Sequence, residues 1–279
     1  MLVDVGCRFT FDLACPTHAV LMVEPHTSEV ERVIHGLMAY STVVEEQTFV
    51  DGFDNRARRL SMPAGMIDIE YMASVEVPDE VDPADYGAGQ TNPADLPSWA
   101  LQFMLPSRYC ESDLLSTHAW ETFGDTEPGW ARVQAVVDYV HDLIEFDYMK
   151  SSVDHTALSV LRDKTGVCRD FTHLGIALCR ALNFPARYVG GYLPDIDVPD
   201  PGSPMDFCAW MEVLLDGRWY TFDARNNQRR KGRVVVGRGR DAADVAMLTS
   251  FGPAPLVEMT VTAEKSPIPA PVHAGVTPR

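Results

Sequence analysis

The chain has 279 residues, with 23 Lys and Arg against 40 Asp and Glu for a net charge of −17, and it is 46% hydrophobic and 23% charged. This is the composition of a globular protein with ample material for a core, and it excludes general disorder. So acidic a surface repels a phosphate backbone, so no nucleic acid is expected as a partner.

Six cysteines, at 7, 15, 110, 168, 179 and 208, are too few and too irregular for a disulfide framework, and none form the C-x-x-C spacing of a zinc ribbon or thioredoxin site. The stretch Met1–Asp12 has neither the basic start nor the unbroken apolar run of a signal peptide, and no run of about 18 apolar residues exists to span a membrane. The expectation is a soluble cytoplasmic protein with reduced thiols, without membrane contact. No motif asks for a cofactor or a resident metal.

From Cys7 to Val77 the pattern alternates, as in Cys7/Phe9/Phe11, Ala19/Leu21/Val23 and Ile67/Ile69/Tyr71, with turn residues between runs. Period two with such punctuation predicts half-buried antiparallel strands, so 1–77 reads as an N-terminal β-rich domain. Residues 78–98 carry four prolines, two glycines and five acids, a linker by composition. A core is expected over 99–264. Its helices are predicted over Pro128–Phe146, where Val133, Val136, Val137, Val140, Leu143 and Ile144 form a stripe, over Thr156–Leu161, and from Cys168 to Leu182. Strands follow over 186–193, 207–215, 218–223, 233–236 and 256–262, and 265–279 reads as a flexible tail. The fold class is α+β.

Gly166-Val167-Cys168-Arg169-Asp170 places Cys168 where a loop gives way to an amphipathic helix. Unpaired backbone N–H groups and the positive end of the helix dipole favour a thiolate there and could stabilise an oxyanion. Cys7, Cys15 and Cys110 read as small buried hydrophobes, and Cys179, on the same helix face about three turns on, as core. Downstream, Asp216-Gly217 between apolar runs signals a two-residue hairpin turn. Such a turn sets Trp210 opposite Asp223 and Cys208 opposite Arg225, making Cys208 and Asp223 diagonal neighbours on one face. The other face, with Ala209, Met211, Val213, Tyr220 and Phe222, is the core face. Trp210 and Trp219 are expected to pack the hairpin against the helix.

Together, Gly-Val-Cys at a helix start, Ala209-Trp210-Met211-Glu212-Val213, Gly217-Arg218-Trp219-Tyr220 and Asp223-Ala224-Arg225 resemble the bacterial transglutaminase-like superfamily. The resemblance runs from about Leu101 to Glu264 and is densest over 156–250. It implies a papain-like transglutaminase core, with helices packed on an antiparallel sheet behind the β-rich region. It further implies amide hydrolysis or acyl transfer by a cysteine protease-like triad on a peptide or protein substrate. Carried over by position, Cys168 is the nucleophile and Asp223 the residue that orients the histidine.

The histidine position itself holds Cys208. An imidazole there would take the thiol proton and return it to the leaving amine, whereas cysteine ionises higher, is shorter and offers no second nitrogen to an aspartate. No other histidine substitutes readily: His173 lies about 140° round the helix from Cys168, His118 sits before the first helix, and His18, His26, His35, His141, His155 and His273 read as surface or satisfied core groups. Three outcomes stay open for Cys168, Cys208 and Asp223. They are an impaired or altered thiol enzyme, a catalytically silent binding protein, or a site repurposed as a disulfide or a metal centre.

Two charged stretches flank the site. The loop 194–206 carries Asp195, Asp197, Asp200 and Asp206, and it could favour amine-bearing substrates or be a solvated connection. The stretch 225–240 carries seven Lys and Arg and no acid. An anionic partner or internal ion pairing would account for it, the latter being the expected role.

Overall fold

The structure is a computed structural model that describes residues 1–268 apart from 151 and 200. The tail expected over 265–279 therefore lies outside the described residues from 269 onward, as do His273 and Asp200.

In chain order, the first strands are Leu2–Leu13 (β1), Thr17–Leu21 (β2), Val33–Tyr40 (β3), Glu45–Val50 (β4), Arg56–Met62 (β5) and Gly65–Glu76 (β6). The helical part follows with Ser116–Phe123 (α1), Trp130–Leu143 (α2), the two-residue strand Glu145–Phe146 (β7), Ala157–Asp163 (α3), its parallel partner Thr165–Gly166 (β8), and Cys168–Ala181 (α4). The remaining strands are Ala186–Tyr192 (β9), Cys208–Leu215 (β10), Arg218–Phe222 (β11), Val234–Gly239 (β12), Leu248–Ser250 (β13) and Leu256–Lys265 (β14).

Alternation builds the N-terminal layers. Along β1, Val3, Val5, Cys7, Phe9, Phe11 and Leu13 are buried, and β6 answers across an unbroken antiparallel register with Ile67, Ile69, Tyr71, Ala73 and Val75. Two four-stranded sheets result, in the orders β14-β1-β6-β3 and β13-β2-β5-β4. Each takes its last strand from the far end of the chain. The sequence placed 256–262 within the core stretch, but β14 pairs with β1 from Val3↔Lys265 to Phe11↔Leu256. A twelve-residue strand with a free edge needs a partner, and β14 closes it.

The helical core is centred on α4, which packs against β9 and β10 on one side and α1, α2 and α3 on the other. Enclosed in this way, α4 buries nearly every residue from Asp170 to Arg180. Leu174, Ile176 and Leu178 each contribute roughly 1.5–3 kcal/mol by leaving water. It stops where Asn183 turns to φ 67° ahead of Phe184 and Pro185. Thr156 caps α3 through the Ser159 amide. A third four-stranded sheet, against α4, runs β11-β10-β9-β12, and the turn between β10 and β11 has φ 45° at Asp216 and 77° at Gly217, as a primed hairpin turn requires.

The segment 78–98, a linker by composition, is tied to the core. Ala88 is buried and its carbonyl accepts the Trp130 amide, Gly89 and Asp216 exchange hydrogen bonds, and the Asp82 carboxylate meets Arg233.

Candidate functional site

Gly166 sets the start of α4. A side chain there would bring a Cβ within 2.7 Å of the Asp170 carboxylate, so glycine alone lets Asp170 fold back over the helix start. Asp170, fully buried, accepts the Val167 amide at 3.0 Å and the Arg169 guanidinium at 3.1 Å, fixing the first turn.

Cys168 is the first residue of that turn, and Cys208 is the first residue of β10, opposite Gly191 of β9. The Cys168 Sγ lies 3.9 Å from the Phe207 carbonyl and the Cys208 Sγ 3.7 Å from the Ala209 carbonyl, and the neighbouring Cys208 side chain, with the Ala209 amide, holds the Cys168 thiol below its ordinary value against the opposing effect of burial. Cys208 moves the other way, well above the ordinary thiol range, through its bond to Cys168, burial and the nearby Asp223 charge. At Cys7, Cys110 and Cys179, none of which has a second thiol beside it, burial dominates, pushing them up to about 11, 12 and 12. Cys15, expected to be buried, is exposed at the end of β1. Cys168 and Cys208 are both free thiols.

The hairpin register is the one expected, from Met211↔Phe222 to Leu215↔Arg218. The ladder ends there, so Trp210 and Asp223 do not pair. Asp223 turns instead to Arg233, 2.9 Å away, and to the amide and side chain of Asn226. Arg233 also holds Asp82 at 2.9 Å and lies over the Trp210 ring at 4.7 Å. Thus Cys168 and Cys208 meet, while the Asp223 carboxylate is occupied by a cation behind them. In the sequence Arg233 is one of the basic run 225–240, and the pairing of β12 with β9 brings it to Trp210.

The tryptophans depart from expectation. The β10 face toward α4 carries Ala209, Met211, Val213 and Leu215, whereas Trp210 packs with Val189 and Val235 on the opposite face. Trp219 meets Trp99 and Phe103. The Leu214 and Trp219 end of that second face is buried as well because 93–104 covers it, a cover no local pattern announces.

Two spaces open on the thiol pair. One is a cavity of about 640 Å³ between β1, β14 and the core, reached by Cys168, Arg169, Cys208, Tyr109, Tyr188 and Asp206 and otherwise lined mainly by apolar side chains. The other, about 60 Å³, lies under the loop after β9 and is lined by Tyr148, Asp206, Arg225 and Arg230 among others. Burial raises the Asp206 carboxyl above its ordinary value. Among the described residues, no histidine lines either space. His173 is buried between Tyr109 and Tyr188 with Nε2 accepting the Ala242 amide, and burial holds it well below the ordinary imidazole value. His118 meets the Tyr139 hydroxyl, His141 the Ala224 carbonyl, and His155 stands 3.7 Å from Asp170.

The charged stretches find each other. Arg230 pairs with Asp195 and Lys231 with Asp197, while Arg238 pairs with Glu212 of β10. Among the described residues, no group of three or more His, Cys, Asp or Glu is placed to hold a metal ion. The two-sulfur, one-carboxylate centre therefore lacks a formed ligand set. No described helix is long and apolar enough to cross a membrane.

Residues 116–224 match the family model described as the transglutaminase-like superfamily. A solved structure of a candidate cysteine protease from Cytophaga hutchinsonii is 30% identical, with 100% of this chain and 93% of that one covered at a TM-score of 0.84. An uncharacterized protein of Mycobacterium tuberculosis is 35% identical over 176 residues, 56% of this chain and 53% of that one. An uncharacterized protein of Mycobacterium leprae is 33% identical over 109 residues, 37% and 39% respectively. The chain thus spans about half the length or less of these curated relatives.

Proposed function

The chain belongs to the transglutaminase-like superfamily, and from that premise we propose that it is a thiol-dependent hydrolase or acyl transferase acting on a peptide-like amide, with Cys168 as nucleophile. The observation that carries this reading is the Cys168 sulfur at the first turn of α4, held below its ordinary pKa by the Cys208 thiol and the Ala209 amide. A thiol lowered in this way gives up its proton more readily than a free cysteine and depends less on an imidazole to remove it.

The Cys168 sulfur attacks the carbonyl carbon, and the N–H groups of Cys168 and Arg169 at the very start of α4 are offered to the oxygen that gains charge, those of Asp170 and Phe171 being taken by the Val167 carbonyl. When the C–N bond breaks, the leaving amine takes a proton that Cys208 can release and later recover from the incoming water or acceptor amine. A thiol above its ordinary pKa performs this step far less well than imidazole, so turnover on amides falls on the order of 10³-fold or more short of a complete triad. Asp223 contributes by anchoring Arg233 over the Trp210 ring, and Arg225 is the cation whose charge favours the Cys168 anion.

Turnover of a peptide anilide tests the reading. Cys168→Ala abolishes it, and Cys208→His raises it by at least tenfold. Equal turnover in the unsubstituted protein and Cys168→Ala would overturn the nucleophile assignment. A second reading draws on the closeness of the two thiols: a peroxide would oxidise Cys168 to a sulfenic acid, which the Cys208 thiol would displace with loss of water to give a disulfide. Loss of two titratable thiols and recovery by a dithiol reductant would mark it.

A further inference from the structure

The two spaces that meet at the thiol pair differ about tenfold in size, about 640 Å³ against about 60 Å³. The smaller one, bounded by Arg225, Arg230 and Asp206, has no room for a bulky side chain. The larger is a different environment: Phe9 and Phe11 of β1, Met247 and Leu248 before and within β13, and Leu256 and Met259 of β14 face into it. Apolar walls of this extent return free energy only to an apolar occupant, because a polar group moved there loses water without gaining hydrogen-bond partners.

We propose that Cys168 is selective for substrates whose acyl part carries a bulky apolar group, aliphatic or aromatic, which lodges in the cavity between the N-terminal strands and the core. This rests on the nucleophile reading above and deepens it. A carboxamide side chain, with two donors and an acceptor to satisfy, meets too few polar partners on those walls. The specificity wall comes from β1, β13 and β14, outside the segment that bears the thiols. Tyr188 and Tyr109 stand at the sulfur end, and Gly190 and Gly191 leave β9 without side chains where the occupant passes.

The test uses p-nitrophenyl esters of straight-chain acids from acetate to octanoate, with the intact protein. Thiolate attack expels p-nitrophenolate and leaves a thioester on Cys168, read by absorbance and by the mass of the acylated peptide. The second-order acylation constant is expected to rise about fourfold per methylene until the cavity fills, and Ala254→Phe, which narrows the cavity from a loop position, cuts the gain for the longer esters. Iodoacetamide labelling of Cys168 runs in parallel. A flat series with Cys168 still alkylated faster than a free thiol would overturn the apolar preference alone. Cys168 that reacts with neither reagent faster than a free thiol would overturn the nucleophile reading with it.

Discussion

Cys168 and Cys208 differ by environment rather than by burial, since both are partly covered and each lies against the other. One sits where a helix opens, next to two hydrogen-bond donors. The other faces the first sulfur and the field of Asp223, so it keeps its proton. Sequence order alone placed Cys168 at the helix start and Cys208 at the strand start. What it did not reveal is Arg233, which takes the carboxylate that an imidazole would otherwise share. Arg233 lies between two acids, Asp82 and Asp223, all three nearly buried. Removing it as Arg233→Met strands two charges, a loss of about 3–5 kcal/mol, to be read as a lowered midpoint in urea unfolding. A change below about 1 kcal/mol would place the trio among surface pairs.

The elements around the site were legible where period and punctuation agree. The α2 stripe, the place of α3, both ends of α4 and the Asp216-Gly217 turn follow from spacing alone. Helix α1 and the short β13 were not legible, because each is too brief to set a period and is held by tertiary contact. Gly166 shows how closely the α4 start is built. Gly166→Ala forces its Cβ into Asp170, and the repacking is expected to cost about 1–3 kcal/mol and to slow Cys168 alkylation as the first turn shifts. Unchanged melting and reactivity would mean the turn relaxes freely. On the opposite face of β10, burial works to raise the Glu212 carboxyl, but Arg238 and Arg187 outweigh it and hold it below its ordinary 4.5. A carboxyl lower in the folded than in the unfolded state stabilises the fold above the unfolded value, and that stability is lost as pH falls through the folded one. Glu212→Gln is therefore less stable near neutrality and flatter on the acid limb below about pH 4.5, as denaturant titrations at several pH values can measure. A variant with the same acid limb as the parent would mean Glu212 is not charged in the fold.

At the scale of the molecule, the net charge of −17 conceals an internal pairing of the acidic 194–206 loop with the basic run that follows β11. The ends of the described chain meet in the same layers, since β13 and β14 complete sheets begun by β2 and β1. Composition could not show this, because strand partners so far apart in sequence leave no local trace. The joining also explains why the large cavity has walls from both ends of the chain. Deleting 256–268 is expected to expose the β1 edge, lower the melting temperature and remove the preference for long acyl groups, whereas retention of that preference would place its walls elsewhere. The most direct measurement is the pH profile of Cys168 alkylation, resolved by peptide mass, in the parent protein and in Cys208→Ala. The thiol pair described here predicts a midpoint below that of free cysteine in the parent and a rise toward it once the Cys208 donor is gone. A parent midpoint at or above free cysteine, unmoved by the substitution, would contradict it.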